Sequence, residues 1–101
     1  MVNNFSEEYI RKEVANVKHP MINCSLVELG IVKNIEIKKE TVIITMAFPF
    51  LNIPIADYLV EIVKESIEEI EAPVEIETVV MNKEELQKFL VLEKENWKGS
   101  T

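Results

Sequence analysis

Cys24 and His19 are the two residues of this chain best suited to bind a metal ion. A thiolate is a soft ligand and an imidazole a borderline one, and their spacing would let both reach one ion across a loop. Each also has an ordinary structural interpretation. Cys24 can be a small buried apolar residue of the core. His19 precedes Pro20, and a lone histidine at such a position is commonly a loop residue. The sequence therefore offers one candidate metal pair, with purely structural roles as the alternative.

The chain shows none of the residue sets that usually mark an active site. It has one histidine and one cysteine, and no serine-histidine-acid set, glycine-rich phosphate loop or multi-cysteine spacing. We therefore expect no catalytic residues, no enzyme activity and no bound cofactor. A metal would enter only through Cys24 and His19.

Large apolar side chains crowd the segment that joins a predicted strand to a predicted helix. They are Phe48, Phe50, Leu51 and Ile53. Such a cluster either covers the core of its own domain or contacts a partner protein or a second copy of the chain. One large apolar side chain moved from water into an interface is worth about 1.5–3 kcal/mol before the costs of association. We expect this segment to bind a partner or form a homodimer, and the sequence leaves open whether its side chains are exposed.

The elements that hold this segment lie between residues 41 and 71. Over residues 41–48, β-branched and apolar residues alternate, which predicts a strand buried on at least one face. Pro49 cannot donate to a sheet and Pro54 suits the first turn of a helix, so the turn lies between them. Apolar residues then recur at helical spacing, which predicts a helix from Pro54 to about Glu71 that Asn52 could cap.

Four further elements are predicted around this unit. They are a helix from Ser6 to about Val17, a strand with Ile35 and Ile37, a strand from Val74 to Val80, and a helix opened by an Asn82 and Glu85 capping box. A right-handed crossover makes the last strand parallel to the middle one and puts the helices on a single face. The predicted fold class is α+β, a two-layer α-β-β-α-β-α sandwich with a three-stranded mixed sheet whose strand order stays open.

A few single residues have predicted local roles. Gly30 should permit a left-handed turn before the first strand. Leu86, Phe89 and Leu90 should form the buried side of the last helix. Trp97 either anchors the end of the chain on the domain or belongs to an exposed contact.

Size and charge limit the class of protein. A chain of 101 residues with 48% hydrophobic content is expected to form one domain. Its net charge of -7 argues against nucleic acid and anionic membranes as partners and favours a basic or neutral protein. The sequence shows no signal peptide or membrane-spanning stretch, and its single cysteine suits a reducing compartment, so we expect a cytoplasmic protein. The abundance of Ile, Glu and Lys would suit a thermophilic source.

Three short motifs resemble those of the small iron-sulfur cluster assembly domain family, which includes SufT-like and PaaD-like proteins and the cytosolic iron-sulfur targeting factors. Residues 27–32, Val-Glu-Leu-Gly-Ile-Val, are similar to the family's V-D-L-G-L-V. Pro20 is spaced from them as in the family's D-P-E, and residues 53–56, Ile-Pro-Ile-Ala, are similar to C-P-M-A. The resemblance runs from about Ser6 to Val80 and implies the family's fold.

The departures from these motifs fall on the family's reactive positions. The family Asp falls on His19, its Glu on Met21 and its cysteine on Ile53, and its Pro-Pro-Trp segment has no counterpart at residues 81–84. An isoleucine cannot hold iron as a thiolate does. The chain is therefore expected to be a divergent, non-catalytic accessory or scaffold protein that acts through contacts with a protein of iron-sulfur assembly or its client. The alternative is a carrier of a metal or an iron-sulfur cluster that uses Cys24 and His19.

Overall fold

The computed structural model describes residues 6–70 and 72–98. Its elements, in chain order, are α1 Glu7–Val14, β1 Val32–Lys38, β2 Thr41–Phe48, α2 Ala56–Ser66, β3 Val74–Val80 and α3 Lys83–Asn96. These three helices and the mixed three-stranded sheet confirm the predicted α+β fold class. Within the described ranges, no helix is long and apolar enough to cross a membrane.

The sheet places β2 in the middle, antiparallel to β1 and parallel to β3. Lys38 pairs with Thr41 at the end of the β1-β2 hairpin. The two residues between them, Lys39 and Glu40, have φ of 49° and 68°. Left-handed conformations at both central positions give a tight turn that suits the twist of paired strands. This local geometry sets the register in which Ile35 lies opposite Ile44.

The core lies against one face of β2. Val42, Ile44 and Met46 are fully buried, as the alternation of the sequence predicts. They share one core with buried residues of α1 and α2, such as Ile10 and Leu59, so these two helices cover this face. The other face carries polar residues on both outer strands, which the register identifies as Asn34, Glu36, Glu75 and Glu77.

Both early helices are shorter than predicted. Ser6 caps α1 as expected, its side chain accepting the Tyr9 N–H, but α1 ends at Val14 and not near Val17. The helix α2 spans residues 56–66, whereas the prediction began at Pro54, and Glu71 lies outside the described residues. After each helix the backbone continues in turns closed by bonds to the third residue back, as in Val17 N–H to Val14 O. This tighter winding ends the α-helical pattern.

The predicted cap of α2 is wrong. Asn52 has φ of 59° and lies in a left-handed turn before the helix, where its side chain does not cap. The N-cap position is Ile55, which has no side-chain oxygen to accept a hydrogen bond. The first turn of α2 therefore lacks a side-chain cap.

The capping box of α3 is confirmed. Asn82 Oδ1 accepts the Glu85 N–H at 2.8 Å, and Glu85 Oε1 accepts the Asn82 N–H at 2.9 Å. Of the three residues predicted on its buried side, Phe89 is buried, Leu86 is half-buried and Leu90 is exposed. The prediction for Leu90 is therefore wrong, because the helix meets the core along a narrow line around Phe89.

The end of α3 is tied to the loop that follows α1. Ile22 and Trp97 form an antiparallel bridge. On either side of it, Asn23 N–H donates to Asn96 O at 2.8 Å and Lys98 N–H donates to Met21 O at 2.9 Å. Trp97 thus anchors the end of the described chain, which was one of its two predicted roles.

Candidate functional site

The apolar segment after β2 forms a turn with its tip in solvent. Phe50 is 58% exposed and Leu51 is 75% exposed, while Ile53 is half-buried. Phe48, predicted with them as a contact residue, is only 5% exposed and belongs to the core. It is buried because it continues the core-facing alternation of β2, and its carbonyl accepts the Met81 N–H at 2.8 Å. Phe50 and Leu51 are therefore the side chains that this turn offers to a partner.

On one side of this turn lies a pocket of about 370 Å³, which we call the His19 pocket. His19 and Met21 line it together with Ile53. These are the three positions at which the motif comparison expects an aspartate, a glutamate and a cysteine. The fold thus brings the three departures together in one place, and what they form is a mainly apolar cavity.

The helix α3 closes the His19 pocket with side chains that the sequence did not nominate for a site. Phe89, Glu93 and Trp97 all line the pocket. Phe89 and Glu93 lie four residues apart on one face of α3, and Trp97 follows the helix as its extended C-cap. That spacing was a visible signal, but only the docking of α3 shows that this face meets the loop at Met21.

A second cavity of about 520 Å³ lies on the other side of the turn, and we call it the β3 cavity. It is lined by the turn itself, by the first residues of α2 and by the end of β3, where Val79 and Val80 are 40% and 47% exposed. Asp57 contributes a carboxylate to it. The exposed turn therefore stands between two cavities, of which the His19 pocket is mainly apolar and the β3 cavity has mixed polar and apolar walls.

His19 is held as a neutral ring. It is 6% exposed, and its Nδ1 accepts the Met21 N–H at 3.0 Å. Burial lowers the pKa of His19, and the charge of Lys98 lowers it further. Because Nδ1 accepts a hydrogen bond, the neutral ring carries its proton on Nε2. In this geometry neither ring nitrogen has a free lone pair for a metal.

Cys24 lies next to His19 in the backbone but does not line the pocket. His19 N–H donates to Cys24 O at 3.0 Å, across the loop that the Lys18–Ser25 bridge closes. The side chain of Cys24 is buried, and burial raises the pKa of its thiol, as does the charge of Glu28. A protonated thiol is a poor metal ligand.

The donor set of this region does not fit a metal or a cluster. Ile53 has no donor atom, Nδ1 of His19 accepts the Met21 N–H, and Nε2 carries the proton of the neutral ring. Across residues 6–70 and 72–98 there is no group of three or more His, Cys, Asp or Glu placed to hold a metal ion. The Cys24 and His19 metal pair stays a prediction, and neither the raised pKa of the Cys24 thiol nor the hydrogen bond accepted by Nδ1 of His19 favours it.

Two reciprocal hydrogen bonds close the turn that carries the motif of residues 27–32. Ser25 N–H donates to Glu28 Oε1 at 2.8 Å, and Glu28 N–H donates to Ser25 Oγ at 3.0 Å. Gly30 follows with φ of 80°, which confirms its predicted left-handed conformation. The Ser-x-x-Glu spacing was a readable capping-box signal for this turn.

The sequence model of the family described as "Iron-sulfur cluster assembly protein" matches residues 7–78. The chain belongs to this family. The match covers most of the chain, from α1 through most of β3, so α3 and its side of the His19 pocket lie outside it. The match confirms the predicted resemblance of this chain to the iron-sulfur cluster assembly domain family.

One solved structure similar to this iron-sulfur assembly domain is the domain of unknown function DUF59 from Bacillus anthracis. The two share 22% sequence identity and superpose with a TM-score of 0.66, over 85% of this chain and 90% of the other. At this identity the likeness shows the fold alone. No curated protein sequence matches the chain.

Proposed function

We propose that this chain is a non-catalytic accessory or scaffold protein of iron-sulfur cluster assembly that acts through protein contacts. The observation that carries the proposal is the composition of the His19 pocket. Where the family motifs have acid and thiol side chains, this chain has His19, Met21 and Ile53 around an apolar cavity. Beside that cavity stand the exposed Phe50 and Leu51.

The energetics of the turn support a contact role. Phe50 and Leu51 keep most of their surface in water, although soluble proteins tend to limit contiguous exposed apolar surface. Covering both would contribute on the order of 3–6 kcal/mol before the costs of association. That is enough to anchor a modest interface if the partner also fills the adjoining cavities.

The direct test removes the apolar tip of the turn. We would prepare Phe50→Asp with Leu51→Asp, and as a matched control Leu90→Asp with Val91→Asp, an exposed apolar pair on α3. Each protein would be checked by circular dichroism and mixed with purified components of iron-sulfur cluster assembly, and its molar mass would be measured by light scattering. We expect the wild type and the control to bind a component or dimerise, and the turn variant to lose the interaction. Equal binding by the turn variant and the wild type would refute the proposal.

The alternative function, a metal or cluster carrier, has its own test. Anaerobic reconstitution with iron and sulfide would be followed by absorption. A stable, stoichiometric charge-transfer band that disappears in Cys24→Ser would overturn the scaffold proposal. We expect no such band, because the thiol of Cys24 is buried and its burial raises its pKa.

A further inference from the structure

The two cavities beside the turn each carry one carboxylate. Glu93 lines the His19 pocket and Asp57 lines the β3 cavity. Neither residue forms an ion pair within the described part of the chain. One cation, Lys98, lies near His19. The chain as a whole carries a net charge of -7. Exposed apolar side chains with one carboxylate in each adjoining cavity, on a chain of net negative charge, are complementary to an apolar segment with basic flanks.

Resting on the proposed function, we infer that this surface binds a segment of the partner that inserts apolar side chains into the His19 pocket and against the apolar part of the β3 cavity, and places lysine or arginine beside Glu93 and Asp57. The volumes of about 370 and 520 Å³ lie at the small end of the range for ligand pockets, roughly 300–1,000 Å³. They suit anchoring side chains. The exposed tip of the turn, Phe50 and Leu51, then lies under the backbone that joins the anchors.

The His19 pocket also offers polar contacts to a peptide backbone. The Nε2–H of His19 and the indole N–H of Trp97 are both donors at the pocket wall. Neither makes a hydrogen bond to another described residue. A carbonyl of the bound segment can accept from either one. Such a contact fixes the direction of the segment while the apolar anchors supply affinity.

A second copy of this chain is a poorer occupant than a basic segment. Its own exposed apolar side chains near the turn are accompanied by the same two carboxylates, Asp57 and Glu93, on a chain of net charge -7. Docking two such surfaces brings like charges together, and this opposes association at low ionic strength. The charge pattern therefore favours a basic partner over self-association.

Trp97 makes the test direct, because it is the single tryptophan of the chain and it lines the pocket. The probe is a synthetic amphipathic peptide of leucine and lysine. One matched peptide has glutamate in place of lysine, and another has serine in place of leucine. Titration at low salt should give a saturable change in Trp97 emission with the leucine-lysine peptide only. Added salt should weaken its binding.

Charge variants on the protein separate site binding from general attraction to an acidic protein. Glu93→Gln and Asp57→Asn should each lower the affinity for the leucine-lysine peptide by about two- to fivefold at low salt. Glu95→Gln and Glu61→Gln are matched controls on the same two helices, at positions that do not line the cavities, and they should leave affinity unchanged.

Three results would overturn the inference. These are equal binding of the lysine and glutamate peptides, equal effects of the cavity and control charge variants, or a dimer in light scattering that is lost in Phe50→Asp. The variants distinguish failure of this inference from failure of the proposed function. If Phe50→Asp with Leu51→Asp abolishes partner binding while Glu93→Gln and Asp57→Asn do not alter it, the contact role stands and the basic chemistry of the partner is refuted.

Discussion

Truncation of Phe89 is expected to release α3 before the rest of the protein unfolds. Phe89 is 5% exposed and is the one buried side chain of α3, whereas Leu90 and Val91 are 42% and 54% exposed. A Phe→Ala change at a buried site costs about 3–5 kcal/mol. The Asn82 cap contributes roughly 0.5–2 kcal/mol, and the exposed Lys33–Glu85 pair adds little. The loss therefore exceeds what the cap and the ion pair can offset, and it leaves the half-buried Leu86 and Leu92 and the backbone bonds on either side of Trp97 to hold α3 in place.

The rest of the core does not depend on Phe89 in the same way. Ile44, Leu59 and Val63 are 0–1% exposed and pack between the sheet and the two early helices. A helix of 14 residues without tertiary contacts is marginal in water, so a released α3 should lose its helicity. Phe89→Ala should thus produce local unfolding of one segment while the sheet persists.

The assay compares two reporters in one urea titration. Trp97 emission follows the end of α3, and the amide exchange of Ile44 and Met46 follows the central strand. In Phe89→Ala the Trp97 transition should move to lower urea than the exchange of β2, whereas in the control Leu90→Ala the two should stay together. Coincident transitions in Phe89→Ala would refute the reasoning, because α3 would then belong to the same cooperative unit as the sheet.

Four smaller changes test individual features. Asn82→Ala should lower the unfolding free energy by about 1 kcal/mol, whereas Asn82→Asp should not, because both Asn and Asp cap helices well. Equal losses for the two variants in urea titrations would contradict the capping role of Asn82. Gly30→Ala should cost about 1 kcal/mol through its left-handed backbone alone, since an added Cβ meets nothing within 4 Å, and Gly30→Asn should cost less. Burial lowers the pKa of His19 from 6.5, so as the pH falls the imidazole is protonated in the unfolded chain before it is protonated in the folded protein. The stability that neutral His19 contributes is therefore complete above pH 6.5 and is lost as the pH falls toward the folded-state pKa. The unfolding free energy of the wild type should therefore fall more steeply below pH 6.5 than that of His19→Asn, by at most about 1.4 kcal/mol per pH unit, and parallel curves would contradict this. Cys24 should react slowly with a thiol reagent in the folded protein and rapidly in urea, and fast labelling without denaturant would show that its thiol is accessible.

Helices and strands that depend on short local sequence patterns could be predicted from the sequence. The alternation of residues 41–48 and 74–80 identified both strands with their observed bounds, and the Asn82 and Glu85 pair identified the start of α3. Each of these signals depends on residues only a few positions apart. The ends of α1 and α2 were not predictable in this way, because apolar spacing continues into turns that are wound more tightly than an α-helix.

The candidate site was only partly predictable. Phe50 and Leu51 could be named from their crowding in one turn, but their exposure and the burial of Phe48 depend on where β2 ends against the core. The three positions at which the chain departs from its family could be named from motifs. That they line one cavity with Phe89 and Trp97 required the docking of α3, which the sequence left open.

The sequence by itself determined which segments form helices and strands, the family to which they belong, and the loss of the thiol at Ile53, since propensity, periodicity and residue chemistry are local properties. Only the tertiary structure decided that β2 is the central strand, that His19 is a buried neutral ring, and that an apolar pocket replaces the family's reactive residues. These features depend on contacts between residues far apart in the chain. The bridge between Ile22 and Trp97 is the clearest case, because it closes the pocket with two segments that neither local pattern nor spacing relates.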